Sequence, residues 1–194
     1  MSSDPLVQAG SIRGALARAW TSWRGPVVPD YVPAAPAPSP RELWLWRLDR
    51  IRDALEQARV VLEQQGWTSG AWFTVRQPSG QPLSVTTTEA FALRDPRREV
   101  LGSCLVGTLV RLADDPDRAP SVADVWGCVD ELYEAMHEQL GHDAFPPGRI
   151  YSHQQRRARL QTLTAWNDAP GRTREQVLDL LDRAIARTIV APCT

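Results

Sequence analysis

Ser39-Pro40-Arg41-Glu42-Leu43-Trp44-Leu45-Trp46-Arg47-Leu48-Asp49-Arg50-Ile51, running on to Gly66, decides how this chain is organised. Ser at a helix N-cap, Pro at the first helical position and Glu at the third satisfy orphan amides reciprocally and pre-set the backbone, so a helix starts here. Trp44, Leu48, Ile51, Leu55, Ala58 and Leu62 then recur at spacings of four and three, which places them on one face. Gly66 is read as the left-handed residue that stops the helix.

Upstream of Ser39 the composition changes. Seven of the 16 prolines lie in the first 40 residues, and Gly25 to Pro38 can hold neither helix nor inner strand, so residues 25–38 read as a semi-rigid linker. Before it, Asp4 and Pro5 can open a short helix with Ile12, Leu16, Trp20 and Trp23 on its apolar side and Arg13, Arg18 and Arg24 among its polar positions. Residues 1–24 are thus expected to form an amphipathic arm, and residues 39–194 a helical domain.

Downstream, Ala71 to Arg76 and Leu83 to Thr87 alternate around Gln-Pro-Ser-Gly-Gln-Pro and predict a small hairpin. Asp95-Pro96 is expected to open a helix reaching Leu112, with Leu101, Leu105, Thr108 and Leu112 on one face and Ser103 and Gly107 allowing close approach of a neighbouring helix. Ser121 to Gly141 predicts another helix, with Val122, Val125, Trp126, Val129, Leu132, Tyr133, Met136 and Leu140 inward. A connection containing Pro146-Pro147-Gly148 leads to a helix from Ser152 to Trp166. Thr173 with Gln176 caps a last helix to about Thr188. The fold expected is mainly α: a compact bundle of about five helices with a minor β-hairpin, behind the arm and its Pro-rich linker.

Composition excludes more than it identifies. The chain has 194 residues and a formal net charge of -1, which excludes coating of nucleic acid or a membrane by bulk charge. All 22 basic residues are Arg, so Schiff-base and Lys general-base mechanisms are ruled out, as is a phosphate loop that needs its Lys. No stretch approaches the roughly 18 apolar residues of a membrane span, and the N-terminal residues lack the apolar run of a secretory signal. Three widely spaced thiols, Cys104, Cys128 and Cys193, do not make a disulfide framework. A cytoplasmic protein with no membrane association is expected.

Chemistry-bearing motifs are sparse. His137-Glu138-Gln139-Leu140-Gly141-His142 resembles a zinc-protease signature but separates its His residues by five positions, turning them apart on a helix. Glu134 and His137 have the spacing of a di-iron helix, yet no second such pair exists. Neither metal nor cofactor is expected. Cys104 and Cys128 fall on apolar faces, where a thiol is a small hydrophobe rather than a nucleophile. Asp114, Asp115 and Asp117 read as a solvated turn.

Charge is distributed unevenly. Residues 89–141 hold 11 acids and 5 Arg, whereas residues 142–174 hold 6 Arg and 2 Asp. Within that basic strip, Arg156, Arg157, Arg159, Arg172 and Arg174 are candidates for binding nucleic acid or another anion. The competing reading is that the strip pairs with the acidic helices of the same molecule or is simply solvated.

Trp166-Asn167-Asp168-Ala169-Pro170-Gly171-Arg172-Thr173 contains the only Asn of the chain. It reads as a helix–helix connection in which Asn167 takes a left-handed conformation, Pro-Gly forms a type II turn and Thr173 caps the next helix. With Gly66-Trp67-x-x-Gly70 and Cys104-Leu105-Val106-Gly107-Thr108-Leu109, this run resembles a family of small uncharacterised proteins of actinobacteria and their phages, over about residues 45 to 190. The resemblance implies a fold and no activity. The leading functional expectation is a non-catalytic interaction or regulatory protein that engages a protein partner or a sister subunit through Ile12, Leu16, Trp20 and Trp23. A nucleic-acid-binding protein using residues 149–174 is the alternative, and an enzyme with an unrecognised site the third.

Overall fold

A computed structural model of the chain describes residues 37–85, 99–113 and 120–190. The chain divides after Ala37, and the unit that starts at Pro38 is the helical domain. The arm with Ile12, Leu16, Trp20 and Trp23, the linker up to residue 36 and the Asp114–Asp117 turn lie outside the described residues.

The first helix, α1 (Pro40–Gln65), starts as its sequence dictates: Ser39 Oγ accepts from the Glu42 amide while the Glu42 carboxylate accepts from the Ser39 amide. Its stripe of Leu48, Ile51, Leu55, Ala58 and Leu62 is buried. Gly66 ends it at φ 97° and ψ 156°, a positive-φ extended conformation rather than the expected left-handed helical one. This turns the chain into a three-stranded antiparallel sheet of order β2-β1-β3, where β1 is Phe73–Arg76, β2 is Pro82–Val85 and β3 is Val100–Ser103. The expected hairpin forms, with strands Phe73–Arg76 and Pro82–Val85 that pair Phe73 with Val85 and Arg76 with Pro82; residues 86 and 87 of the expected second strand lie outside the described residues.

The third strand corrects the expectation of a helix across residues 95–112. Val100 to Ser103 pair with β1, with a bulge that absorbs Leu101, and helix α2 (Leu105–Ala113) begins only afterwards. Leu101 and Leu105 fit a helical stripe in sequence, but tertiary partners claim the backbone first. Ser103 N–H donates to Gly66 O at 3.2 Å, Thr68 N–H donates to Ser103 O at 3.1 Å, and Arg76 N–H donates to Glu99 O at 2.9 Å. Gly107 does permit a close approach, but of the Trp72 backbone rather than a helix: a Cβ there would lie 2.5 Å from Trp72 O.

Helices α3 (Val122–Gln139), α4 (His153–Asn167) and α5 (Arg174–Val190) complete the domain, giving five helices and one small sheet among the described residues. Each begins at a reciprocal cap, Ser121 with Asp124, Ser152 with Gln155, and Thr173 with Gln176. The central helix is α3, packed by α1, α2, α4 and α5. Its stripe departs from the expected one: Val129, Leu132 and Met136 are buried, but Val122 and Leu140 are exposed, whereas Asp124, Asp130, Glu131 and Glu134 are buried. Packed by four helices, α3 buries these four acids along its length, whereas Glu138 near its end stays exposed.

Candidate functional site

Buried carboxylates need partners, and the Arg residues of α4 and α5 supply them. Arg156 lies 2.9 Å from Asp130 Oδ2. Arg159 pairs with both Asp130 and Glu134, and its guanidinium stacks 3.4 Å from the Tyr151 ring centroid and 4.5 Å from that of Tyr133. Glu134 also accepts from Tyr151 Oη at 2.7 Å and from the Phe145 amide at 3.0 Å. One turn away, Glu131 accepts from the Gly148 amide at 2.8 Å and from Arg187 Nε at 3.1 Å, while Arg187 reaches Glu138 and donates to Phe145 O. The network fastens the connection between α3 and α4 onto the core, and it answers the charge asymmetry of the sequence from within.

Environment sets the protonation of each member. Burial pushes the Asp130 carboxyl up to about 6 against the pull of Arg156 and Arg159. It also raises Glu131, despite the Gly148 amide and Arg187. At Glu134 burial works in the same direction, but hydrogen bonds from Phe145 N–H, Tyr151 and Arg159 outweigh it and hold the carboxyl below its ordinary value. Tyr151 is pushed up to about 12 by burial and by its bond to Glu134. Burial likewise raises both described thiols, Cys104 to about 11, so neither has the lowered pKa that activates a nucleophile.

Of the five Arg residues expected to meet an anion, four have partners in their own chain. Arg156 and Arg159 point into the acidic network just described. Arg172 donates to Trp166 O at 3.0 Å and to Gln176 Oε1 at 3.1 Å, with its guanidinium 3.8 Å from the Trp166 ring centroid. Arg174 donates to the carbonyls of Leu62 and Glu63 at the end of α1. Arg157 is exposed and makes no ion pair among the described residues.

The Trp166–Thr173 run has a role that local reading missed. Asn167 is 1% exposed and helical, not left-handed, and its side chain joins three segments. Its Oδ1 accepts from Trp67 Nε1 at 2.9 Å and from the Leu105 amide at 3.2 Å; its Nδ2 donates to Asp168 Oδ1 at 2.7 Å and to Thr68 O at 3.4 Å. Asp168 Oδ1 in turn accepts from the Gly70 amide at 2.8 Å. Asn167 therefore caps α2 from another helix and fixes the entry to the sheet. The turn after it forms as expected: Arg172 N–H donates to Ala169 O at 3.0 Å, with Gly171 at φ 79°.

One cleft of about 300 Å³ opens beside the acidic network, between α3, α4 and their connection. Glu134, Arg159, Tyr133, His137 and Phe145 are among the residues that line it. The Tyr133 and His137 rings lie 4.3 Å apart at an interplanar angle of 31°, and His142 continues the row with its centroid 5.3 Å from His137. No group of three or more His, Cys, Asp or Glu positioned to hold a metal occurs among the described residues. No described helix is long and apolar enough to cross a membrane.

A mainly helical domain with a minor antiparallel sheet, built around an internally neutralised acidic helix, is the class of protein that this fold and site define. Residues 47–187 match the family described as Family of unknown function (DUF6197), and the chain belongs to it. No curated protein and no solved structure matches the chain.

Proposed function

We propose that this is a non-catalytic interaction protein that binds a protein partner or a sister copy, with Ile12, Leu16, Trp20 and Trp23 of the arm as anchors. The observation that carries this reading is how the domain spends its reactive groups. Its buried Arg159, Asp130, Glu131, Glu134 and Tyr151 side chains are held by partners within the chain, its described thiols are raised in pKa, and apolar side chains stand in solvent on the connection between α3 and α4. Leu140 is 64% exposed, Phe145 49% and Ile150 71%, all on or beside the connection between α3 and α4. Exposed apolar groups clustered on one loop are the mark of an association surface. The nucleic-acid reading has weaker support, because only Arg157 of its five candidates is exposed without an ion pair among the described residues.

The test is a full-length Trp20→Ala/Trp23→Ala double variant, compared with wild type by light scattering after gel filtration and by native co-purification. The variant should lose the copy or partner that wild type retains while melting at the same temperature. An equal drop in melting temperature would place both Trp side chains in the core of their own chain and end the reading.

A further inference from the structure

The junction of α1, α3 and α4 holds a guanidinium that its own chain does not pair. Helices α1 and α3 approach closely there: a Cβ on Gly127 would lie 2.5 Å from Ile51 Cδ1, and Cys128 Sγ donates to Ile51 O at 3.6 Å. Arg47, one turn before Ile51, has its Nε and Nη2 shut off from solvent, and neither atom makes a hydrogen bond among the described residues. Together they form the side-on edge with which Arg grips an oxyanion bidentately. Arg156 Nη2 and Asp130 Oδ1 are likewise buried without a hydrogen bond, although Arg156 Nη2 lies 2.9 Å from Asp130 Oδ2 and Asp130 Oδ1 3.6 Å from Arg159 Nη1.

Arg47 shares the electrostatic neighbourhood of that pair. Burial and then the Arg156 guanidinium depress its pKa, while Asp130 and Asp124 oppose them. Neither acid is free to pair with it: Arg156 and Arg159 share Asp130, and Arg50 Nε donates to Asp124 Oδ1 at 3.1 Å. A guanidinium cannot shed its proton in a protein, so the donor edge of a cation is buried beside a like charge. Water would satisfy these donors without offsetting the charge, and chloride would offer no proton to Asp130 Oδ1. The complement of three donors and one acceptor is an oxyanion that still carries a proton.

We propose that this junction binds a small proton-bearing oxyanion, hydrogencarbonate or hydrogenphosphate, whose oxygens accept from Arg47 Nε, Arg47 Nη2 and Arg156 Nη2 and whose O–H donates to Asp130 Oδ1.

The test uses the full-length protein near neutral pH with sodium salts at matched ionic strength. Nitrate matches hydrogencarbonate in shape and sulfate matches hydrogenphosphate, but neither carries a proton. The NMR line width of the anion and the calorimetric melting temperature should both respond saturably to one proton-bearing anion, and which one responds tells a trigonal site from a tetrahedral one. Its aprotic match should bind about tenfold or more weakly, the penalty of a buried acceptor left unpaired. Arg47→Gln removes an unpaired charge, so without either anion it should melt no lower than wild type, and it should lose the response. No saturable response to either proton-bearing anion, equal binding of the aprotic match, or an undiminished response in Arg47→Gln would each overturn the proposal. So would an Arg47→Gln protein that melts well below wild type in anion-free buffer, since the guanidinium would then be paired within its own chain. The same response in the Trp20→Ala/Trp23→Ala protein separates this result from the fate of the arm.

Discussion

Replacing Asn167 tests the structural reading of the family run most sharply. In Asn167→Ala, the half-buried Trp67 indole N–H and the buried Leu105 amide lose their common acceptor. Each donor left unpaired costs about 1–3 kcal/mol, so the variant should lose roughly 2–6 kcal/mol, a large part of the ~5–15 kcal/mol that holds a domain together. Asn167→Asp separates the two halves of the side chain. It keeps the acceptor for both donors but replaces the Nδ2–H···Oδ1 bond to Asp168, 2.7 Å long, with two facing carboxylates. That repulsion raises the folded-state pKa of the new carboxyl above its unfolded value of about 3.9. The stability associated with its protonated form is then present at low pH and lost as pH rises through the folded-state pKa. The deficit of Asn167→Asp against wild type should therefore be small near pH 4 and grow toward about pH 7, whereas that of Asn167→Ala should be flat. Urea unfolding of all three proteins across this range, followed by far-UV circular dichroism, reads both quantities. A deficit below about 1 kcal/mol in Asn167→Ala, or a flat one in Asn167→Asp, would refute the account of Asn167 as the acceptor that joins α4, α2 and the sheet entry.

The acidic helix makes opposite predictions for two of its carboxyls. Asp130 has a folded-state pKa raised to about 6, so its contribution is present at low pH and lost as pH rises through that value, and Asp130→Asn should flatten the fall in urea midpoint between about pH 4 and 6. Glu134 is lowered, so its contribution is present at neutral pH and lost on acidification; Glu134→Gln strips Arg159 of its closest counter-charge and should cost about 3–5 kcal/mol at pH 7 by the same assay. Gly107→Ala ordinarily gains about 0.5–1 kcal/mol in a helix, but here the added Cβ would meet Trp72 O at 2.5 Å, while that oxygen is held by the Cys104 amide at 2.9 Å. The melting temperature should fall, and a rise in differential scanning calorimetry would contradict the packing of α2 on the sheet entry.

Local signals determined the parts of this protein whose energetics are local. The Ser39–Glu42 and Thr173–Gln176 boxes, the α1 stripe and the Ala169–Arg172 turn each satisfy their own backbone within three or four residues, so composition and spacing suffice to place them. Even the pairing of acidic and basic segments was legible as a charge asymmetry, although not which side chains meet. Tertiary structure alone decided the rest, because the partners lie far apart in the chain. Leu101 is on a strand rather than a helix because Gly66, Thr68 and β1 bond its neighbours. Asp130, Glu131 and Glu134 are buried because α3 is surrounded, and their charges survive there only because Arg156, Arg159 and Arg187 arrive from two later helices. Asn167, read along the chain as a turn former, became a cap for a helix 62 residues earlier once the fold closed around it. The cleft is of the same kind: Tyr133, Asp143 and Arg159 share no motif, and only the packing of α4 against α3 brings them to one opening.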